Sequence, residues 1–112
     1  MERKKFIRVP INKKAQKTYE LGILREDELE TMVLSNDQFL ELFKMGVFEK
    51  INEKCDIIID EFEDEILELN KIPSAIEVVT KFISENDNAD LVELKKMLEL
   101  AVAFNTIVGF DF

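Results

Sequence analysis

Histidine and tryptophan are absent from this chain of 112 residues, and tyrosine and cysteine occur once each. Without an imidazole, the commonest general base and the commonest transition-metal ligand are both missing, so no Ser-His or Cys-His nucleophile pair and no Cys/His zinc site can be built. The lone thiol, Cys55, has no partner for an intramolecular disulfide, and its neighbours in sequence offer nothing to activate it. No phosphate-binding G-x-x-x-x-G-K-[ST] or G-x-G-x-x-G loop occurs, and no G-x-S-x-G nucleophile turn. These gaps point away from an enzyme, and neither a cofactor nor a metal is expected.

Glycine and proline are scarce. Gly22, Gly46, Gly109, Pro10 and Pro73 are the only ones, with no cluster of the kind that marks a flexible linker, no repeat and no low-complexity tract. A single domain over residues 1–112 is expected. The longest unbroken apolar run, residues 100–104, falls far short of the ~20 residues that span a bilayer. Glu2-Arg3-Lys4-Lys5 leads into Phe6-Ile7-Arg8-Val9-Pro10, broken by charge and proline where a secretion signal would continue apolar. A cytoplasmic protein with no membrane contact is expected.

What is present is a core and a charge imbalance. The apolar fraction is 46%, and nine phenylalanines supply most of the large side chains, which suits a folded protein rather than a disordered acidic tail. The net charge is −9, distributed unevenly: residues 1–20 carry seven Lys/Arg against two Glu, and the remainder eight against twenty-two acids. Such an exterior repels nucleic acid and anionic membrane and steers basic partners toward itself. The basic start reads as a solvated first strand leaning on the acidic remainder.

Along the chain, residues 6–11 alternate, with Ile7, Val9 and Ile11 on one side and Phe6 and Arg8 on the other, a strand ended by Pro10 or placed by it at an edge. Residues 20–34 space Leu21, Leu24, Leu29, Met32 and Val33 in a loosely helical way. Ser35-Asn36-Asp37-Gln38 is a capping box that opens a helix with Phe39, Leu40, Leu42 and Phe43 on its apolar face and a bend or stop at Gly46. From 47 to 69, Phe48, Ile51, Cys55, Ile58, Ile59, Phe62, Ile66 and Leu69 recur at steps of three and four, which favours one long helix. A buried strand at Ile57-Ile58-Ile59 is the competing reading, because three successive β-branched residues suit a pleated setting.

Ser74 and Glu77 are spaced as a second capping box, for a helix with Ile76, Val79 and Ile83 inward that ends near Ser84. Asp90 and Glu93 open a last helix with a seam of Leu91, Leu94, Leu98, Ala101 and Val102. Asn105 suits the left-handed residue that closes it, and residues 106–112 alternate as a terminal strand with Val108, Phe110 and Phe112 on one face. The simplest architecture is α+β: four or so helices packed on one side of a small sheet that contains both terminal strands.

Asp56, Asp60 and Asp64 at steps of four would line one side of the long helix, but no calcium loop of the D-x-D-x-D-G kind accompanies them, so a solvated face is expected rather than a metal site. On that helix Ile57 falls on the far side from the stripe, ringed by Glu53, Asp56, Asp60, Glu61 and Asp64. An apolar centre with a charged rim is how interfaces concentrate binding energy, so these six residues are the candidate partner-binding site.

The run Ile58-Ile59-Asp60-Glu61-Phe62-Glu63-Asp64-Glu65-Ile66, the final helix with Leu94, Leu98 and Ala101, and the ending Val108-Gly109-Phe110-Asp111-Phe112 resemble small immunity proteins of bacterial polymorphic toxin systems. The resemblance covers roughly the last two-thirds of the chain, and the basic first twenty residues have no counterpart in it. It implies an acidic cytoplasmic inhibitor that caps a basic toxin domain, often a nuclease. Two other classes stand beside it: a self-associating structural or regulatory module, homodimeric through the terminal strand or last helix, and a nucleic-acid-associated protein using Arg3, Lys4, Lys5, Arg8, Lys13, Lys14 and Lys17. The global acidity disfavours the last of these.

Overall fold

A computed structural model describes residues 4–112; Arg3, counted above with the basic residues, lies outside them. Its centre is a four-stranded antiparallel sheet in which the first and last described strands lie side by side. Strand β1 (Lys5–Pro10) pairs on one side with β2 (Leu29–Leu34) and on the other with β4 (Val108–Asp111), and β4 pairs with β3 (Asp64–Leu67), giving the order β2-β1-β4-β3. Ile7 lies opposite Phe110 and Arg8 opposite Gly109. Pro10 therefore does not mark a sheet edge. The ladder between β1 and β4 stops at Arg8, so the missing proline N–H falls beyond it.

The pleat sends Ile7, Val9, Val108, Phe110 and Phe112 to one face, all fully buried, where helices α2 (Asn36–Met45), α3 (Val47–Cys55), α4 (Ile72–Glu85) and α5 (Ala89–Phe104) close the core. Phe39, Phe48, Phe110 and Phe112 meet there with ring centroids 5.0 to 6.4 Å apart, mostly edge to face. Helix α1 (Lys13–Glu20) serves the opposite face, where Tyr19, Leu29 and Ile107 form a small second cluster. The protein is thus α+β, with five α-helices among the described residues and both terminal strands in the sheet.

Local signals set several elements as expected. Ser35 and Gln38 form the reciprocal capping box of α2, Gly46 closes that helix at φ 96°, and Asn105 closes α5 at φ 59°. Helix α4 starts two residues before Ser74, with Pro73 in its first turn and no side-chain cap, so the second capping box does not form. In α5 the cap is Asn88, and Val102 of the expected seam is exposed.

One expected helix is absent and another is cut short. Residues 20–34 hold the end of α1, a loop and β2. Asn12 caps α1 by accepting the Ala15 N–H at 2.8 Å, Gly22 at φ 84° follows its end, and Leu21, Ile23 and Leu24 are exposed. The apparent helical spacing mixed these loop residues with the alternating β2 sequence Leu-Glu-Thr-Met-Val-Leu.

The long helix over 47–69 ends at Cys55, where Asp56 turns left-handed (φ 54°, ψ 51°). The Asn52 side chain then holds the Ile59 backbone from both sides, accepting its N–H at 2.7 Å and donating to its carbonyl at 3.0 Å. Three β-branched isoleucines resist continuing a helix, and the free edge of β4 offers a ladder to residues 64–67 instead. Residues 57–59 are irregular, neither helix nor strand. Among the described residues, no helix is long and apolar enough to cross a membrane.

Candidate functional site

Residues 56–68 contain seven carboxylates and no Lys or Arg. Three of the seven are spent on holding the segment in shape. Glu65 accepts the N–H groups of Ile58 and Ile66, each at 3.0 Å, and Asp60 accepts the Glu61 N–H at 2.8 Å. Glu61 reaches the ammonium of Lys5 at 3.4 Å.

Lys5 belongs to the core-facing side of β1 and is fully buried, its Nζ 5.0 Å from the centre of the Phe39 ring and 5.3 Å from that of Phe62. A buried ammonium is costly unless it is paired, so this one acts as an internal tether for the loop, satisfied by a carboxylate and two ring faces. The basic start is therefore not simply a solvated strand. Arg8 is buried as well, while Lys4, Lys13, Lys14 and Lys17 are exposed.

The tether and the Asn52 bracket leave Asp56, Asp60, Glu63 and Asp64 facing solvent together with two large apolar residues, Ile58 (70% exposed) and Phe62 (65% exposed). Phe62 sits in a turn closed by Glu63 N–H to Asp60 O at 3.3 Å, with φ 66°, a backbone region that a bulky residue rarely adopts.

The six residues named from the sequence do not share one helix face. Glu53 lies on α3, exposed and 3.4 Å from Lys50; Asp56 caps that helix; Asp60 and Glu61 are in the loop; Asp64 begins β3. Ile57 is half-buried against the core, and the apolar centre assigned to it is occupied by Ile58 and Phe62. Phe62, expected in a buried stripe, is a surface residue. The row of Asp56, Asp60 and Asp64 dissolves with the helix that was to carry it. Among the described residues, no group of three or more His, Cys, Asp or Glu is placed to hold a metal ion.

Sequence reasoning missed a second constellation, on the outer face of the sheet. Asp111 accepts from Arg8 at 2.6 Å and from the Tyr19 hydroxyl at 2.8 Å. The Arg8 guanidinium carbon also lies 4.3 Å from the centre of the Phe6 ring. Burial, and secondarily the bond to Asp111, hold the Tyr19 phenol protonated far above its ordinary range. Tyr19 fits because Gly109 lies beneath it: any β-carbon at that position would overlap the tyrosine hydroxyl. The available signal was the only tyrosine of the chain standing at the end of a capped helix.

No protein-family model matches the chain, and no curated protein is similar to it in sequence. Among solved structures, the DNA mimic protein DMP12 of Neisseria aligns with a TM-score of 0.61 at 15% identity, over 97% of this chain and 98% of that one. The two chains share a fold. At that identity, the likeness concerns the order and packing of helices and strands.

All the lysines lie outside residues 56–68 in sequence, and Lys5 pairs with Glu61 across the fold. Lys13, Lys14 and Lys17 lie along α1, and Lys50, Lys54 and Lys81 gather around a groove of about 480 Å³ between α3 and α4. A second groove, of about 380 Å³, opens on the outer face between α1 and β3, lined by Arg8, Tyr19, Glu20, Leu24, Asp64, Glu65, Ile66 and Asp111.

Proposed function

We propose that this protein is a protein-binding inhibitor whose acidic segment occupies the basic, nucleic-acid-contacting surface of a partner. The observation that carries the reading is the run of seven acids without a cation over residues 56–68, tied to the sheet by buried Lys5 and to α3 by Asn52. A surface that binds nucleic acid is built to receive closely spaced negative charges on a firm frame. Carboxylates already held in place meet it without a large ordering cost.

Ile58 and Phe62 supply what a purely ionic contact lacks, namely desolvated apolar anchors within a charged rim. The strained backbone of Phe62 is of the kind found at working sites and fits that role. The fold shared with a DNA mimic protein supports a DNA-binding protein as partner, and a basic toxin nuclease, the partner of an immunity-type protein, would be one such case.

The test uses the chain and its Asp60→Lys/Glu63→Lys variant, each immobilised and exposed to extract of the cells that encode it. The expected result is capture of DNA-binding proteins by the native chain, their release by added duplex DNA, and loss of capture by the variant. Retention by the variant, or retention indifferent to DNA, would refute the reading.

A further inference from the structure

We infer that the outer edge of β2 docks a second copy of this chain: two β2 strands pair antiparallel about a two-fold axis at Met32, joining two four-stranded sheets into one. The inference goes beyond the proposed function and does not rest on it. Each acidic segment leads into β3, at the far end of the joined sheet, and stays uncovered.

The ladder with β1 leaves one side of β2 unpaired. β2 has β1 on one side and no strand on the other. The Ile11 N–H donates to the Glu28 carbonyl at 3.1 Å, one step beyond the paired Pro10 and Leu29. Bonded and non-bonded pairs alternate along an antiparallel ladder, so Glu30, Met32 and Leu34 turn their N–H and C=O groups toward β1. Pro10 agrees with this alternation, because its position needs no N–H toward β2. Leu29, Thr31 and Val33 therefore turn theirs outward. The Leu29 N–H is taken by the Glu26 carbonyl, but the N–H and C=O groups of Thr31 and Val33 have no partner among the described residues.

The opposite edge of the sheet is guarded, and β2 is not. Phe112 donates to the Glu63 carbonyl, so by the same alternation Ile66 of β3 faces outward, where the Glu65 carboxylate accepts its N–H at 3.0 Å. β3 is also only four residues long, and two of them are acidic. Shortness, charge and covered donors are what keep an edge from pairing. β2 has six residues, a single charge at Glu30, and neither lysine nor proline, and its Val33 is 47% exposed.

The sequence of β2 is complementary to a copy of itself. An axis at Met32 sets Thr31 opposite Val33 of the second copy, and the reverse, so every outward N–H of these residues meets an outward carbonyl. Both lie on the outer face, where β-branched side chains pair well. Glu30 comes opposite Leu34 of the second copy, whose neighbour in β1 is Lys5, so the one charge of each edge approaches a cation. An axis at Thr31 would instead make the two Glu30 side chains diagonal neighbours, and like charges there favour the axis at Met32.

The test follows the full chain by sedimentation and amide hydrogen exchange over a range of concentrations. A reversible dimer is expected, whose formation slows exchange at Thr31 and Val33 at least about tenfold while Met32 and Leu34, already bonded to β1, change little. Each copy carries a net charge of −9, so added salt should tighten this dimer, whereas a contact between acidic segment and exposed lysines would weaken. Thr31→Pro removes an N–H that β1 does not use, and Val33→Lys puts a charge on the edge. Each should raise the dimer dissociation constant at least about tenfold and leave the monomer folded.

A chain that stays monomeric at millimolar concentration would overturn the inference. So would a dimer in which Thr31 and Val33 exchange as fast as in the monomer, or one that survives Val33→Lys. Protection of these two amides that arises only on addition of cell extract would give the edge to a foreign strand and likewise overturn the second copy. Loss of capture by Asp60→Lys/Glu63→Lys is read on a different surface, so the proposed function and the dimer can each fail alone.

Discussion

The Arg8 guanidinium and the Asp111 carboxylate, 103 positions apart in the sequence, meet at 2.6 Å on the outer face of the sheet. Their bond runs diagonally between the first strand and the last, and Tyr19 of α1 joins it from above. Three segments distant in sequence thus converge on one carboxylate, which is shielded by α1 and largely removed from water.

Removing one side of this pair strands the other. Asp111→Ala should destabilise the fold by about 3–5 kcal/mol, the range for leaving a buried charge without its partner. Replacing both, as Arg8→Met with Asp111→Leu, should recover much of the loss. Denaturant unfolding of the two single variants and the double variant measures this, and strictly additive losses would show that the pair is not coupled.

Tyr19 gives the fold an alkaline limit. Its phenol titrates higher in the folded state than the ordinary value of 10.0, so the native state holds the proton more tightly than the unfolded chain. Its contribution is complete below pH 10 and declines as the pH rises beyond it. Thermal melts from neutral to strongly alkaline pH should show a steeper loss for the native protein than for Tyr19→Phe, and parallel curves would contradict the assignment.

Phe62 and Leu98 separate surface from core. Leu98, fully buried in α5, should cost about 2–5 kcal/mol on replacement by alanine. Phe62→Ala should cost under about 1 kcal/mol, since it loses a contact with the Lys5 ammonium but opens no cavity. The same Phe62 variant should weaken partner capture, so equal stability losses at the two positions would place Phe62 back in the core.

Asn52 should control the order of the acidic segment. Asn52→Ala deletes both side-chain bonds to Ile59 and should cost about 1–3 kcal/mol. Amide hydrogen exchange at Ile59 should accelerate while that of α5 changes only with global stability. Unchanged protection of Ile59 would mean that Lys5 and Glu61 suffice to hold the loop.

The sequence by itself determined the elements whose signals are local. The capping box at Ser35, the break at Gly46, the closure of α5 at Asn105, the alternation of the two terminal strands and the α+β class all follow from residues within a few positions of one another. The acidity of residues 56–68 and the presence of an apolar residue among those acids were legible in the same way.

Which isoleucine or phenylalanine faces solvent was not legible, because that depends on partners distant in sequence. Residues 64–67 become a strand only where the edge of β4 is free to receive them, and the chain before them bends only because Asn52 holds Ile59. Burial of Lys5 and Arg8 likewise needs Glu61 and Asp111, which no local window contains. Short helices and caps draw their free energy from neighbouring residues, whereas strand pairing and buried charges draw theirs from groups that only the folded chain brings together.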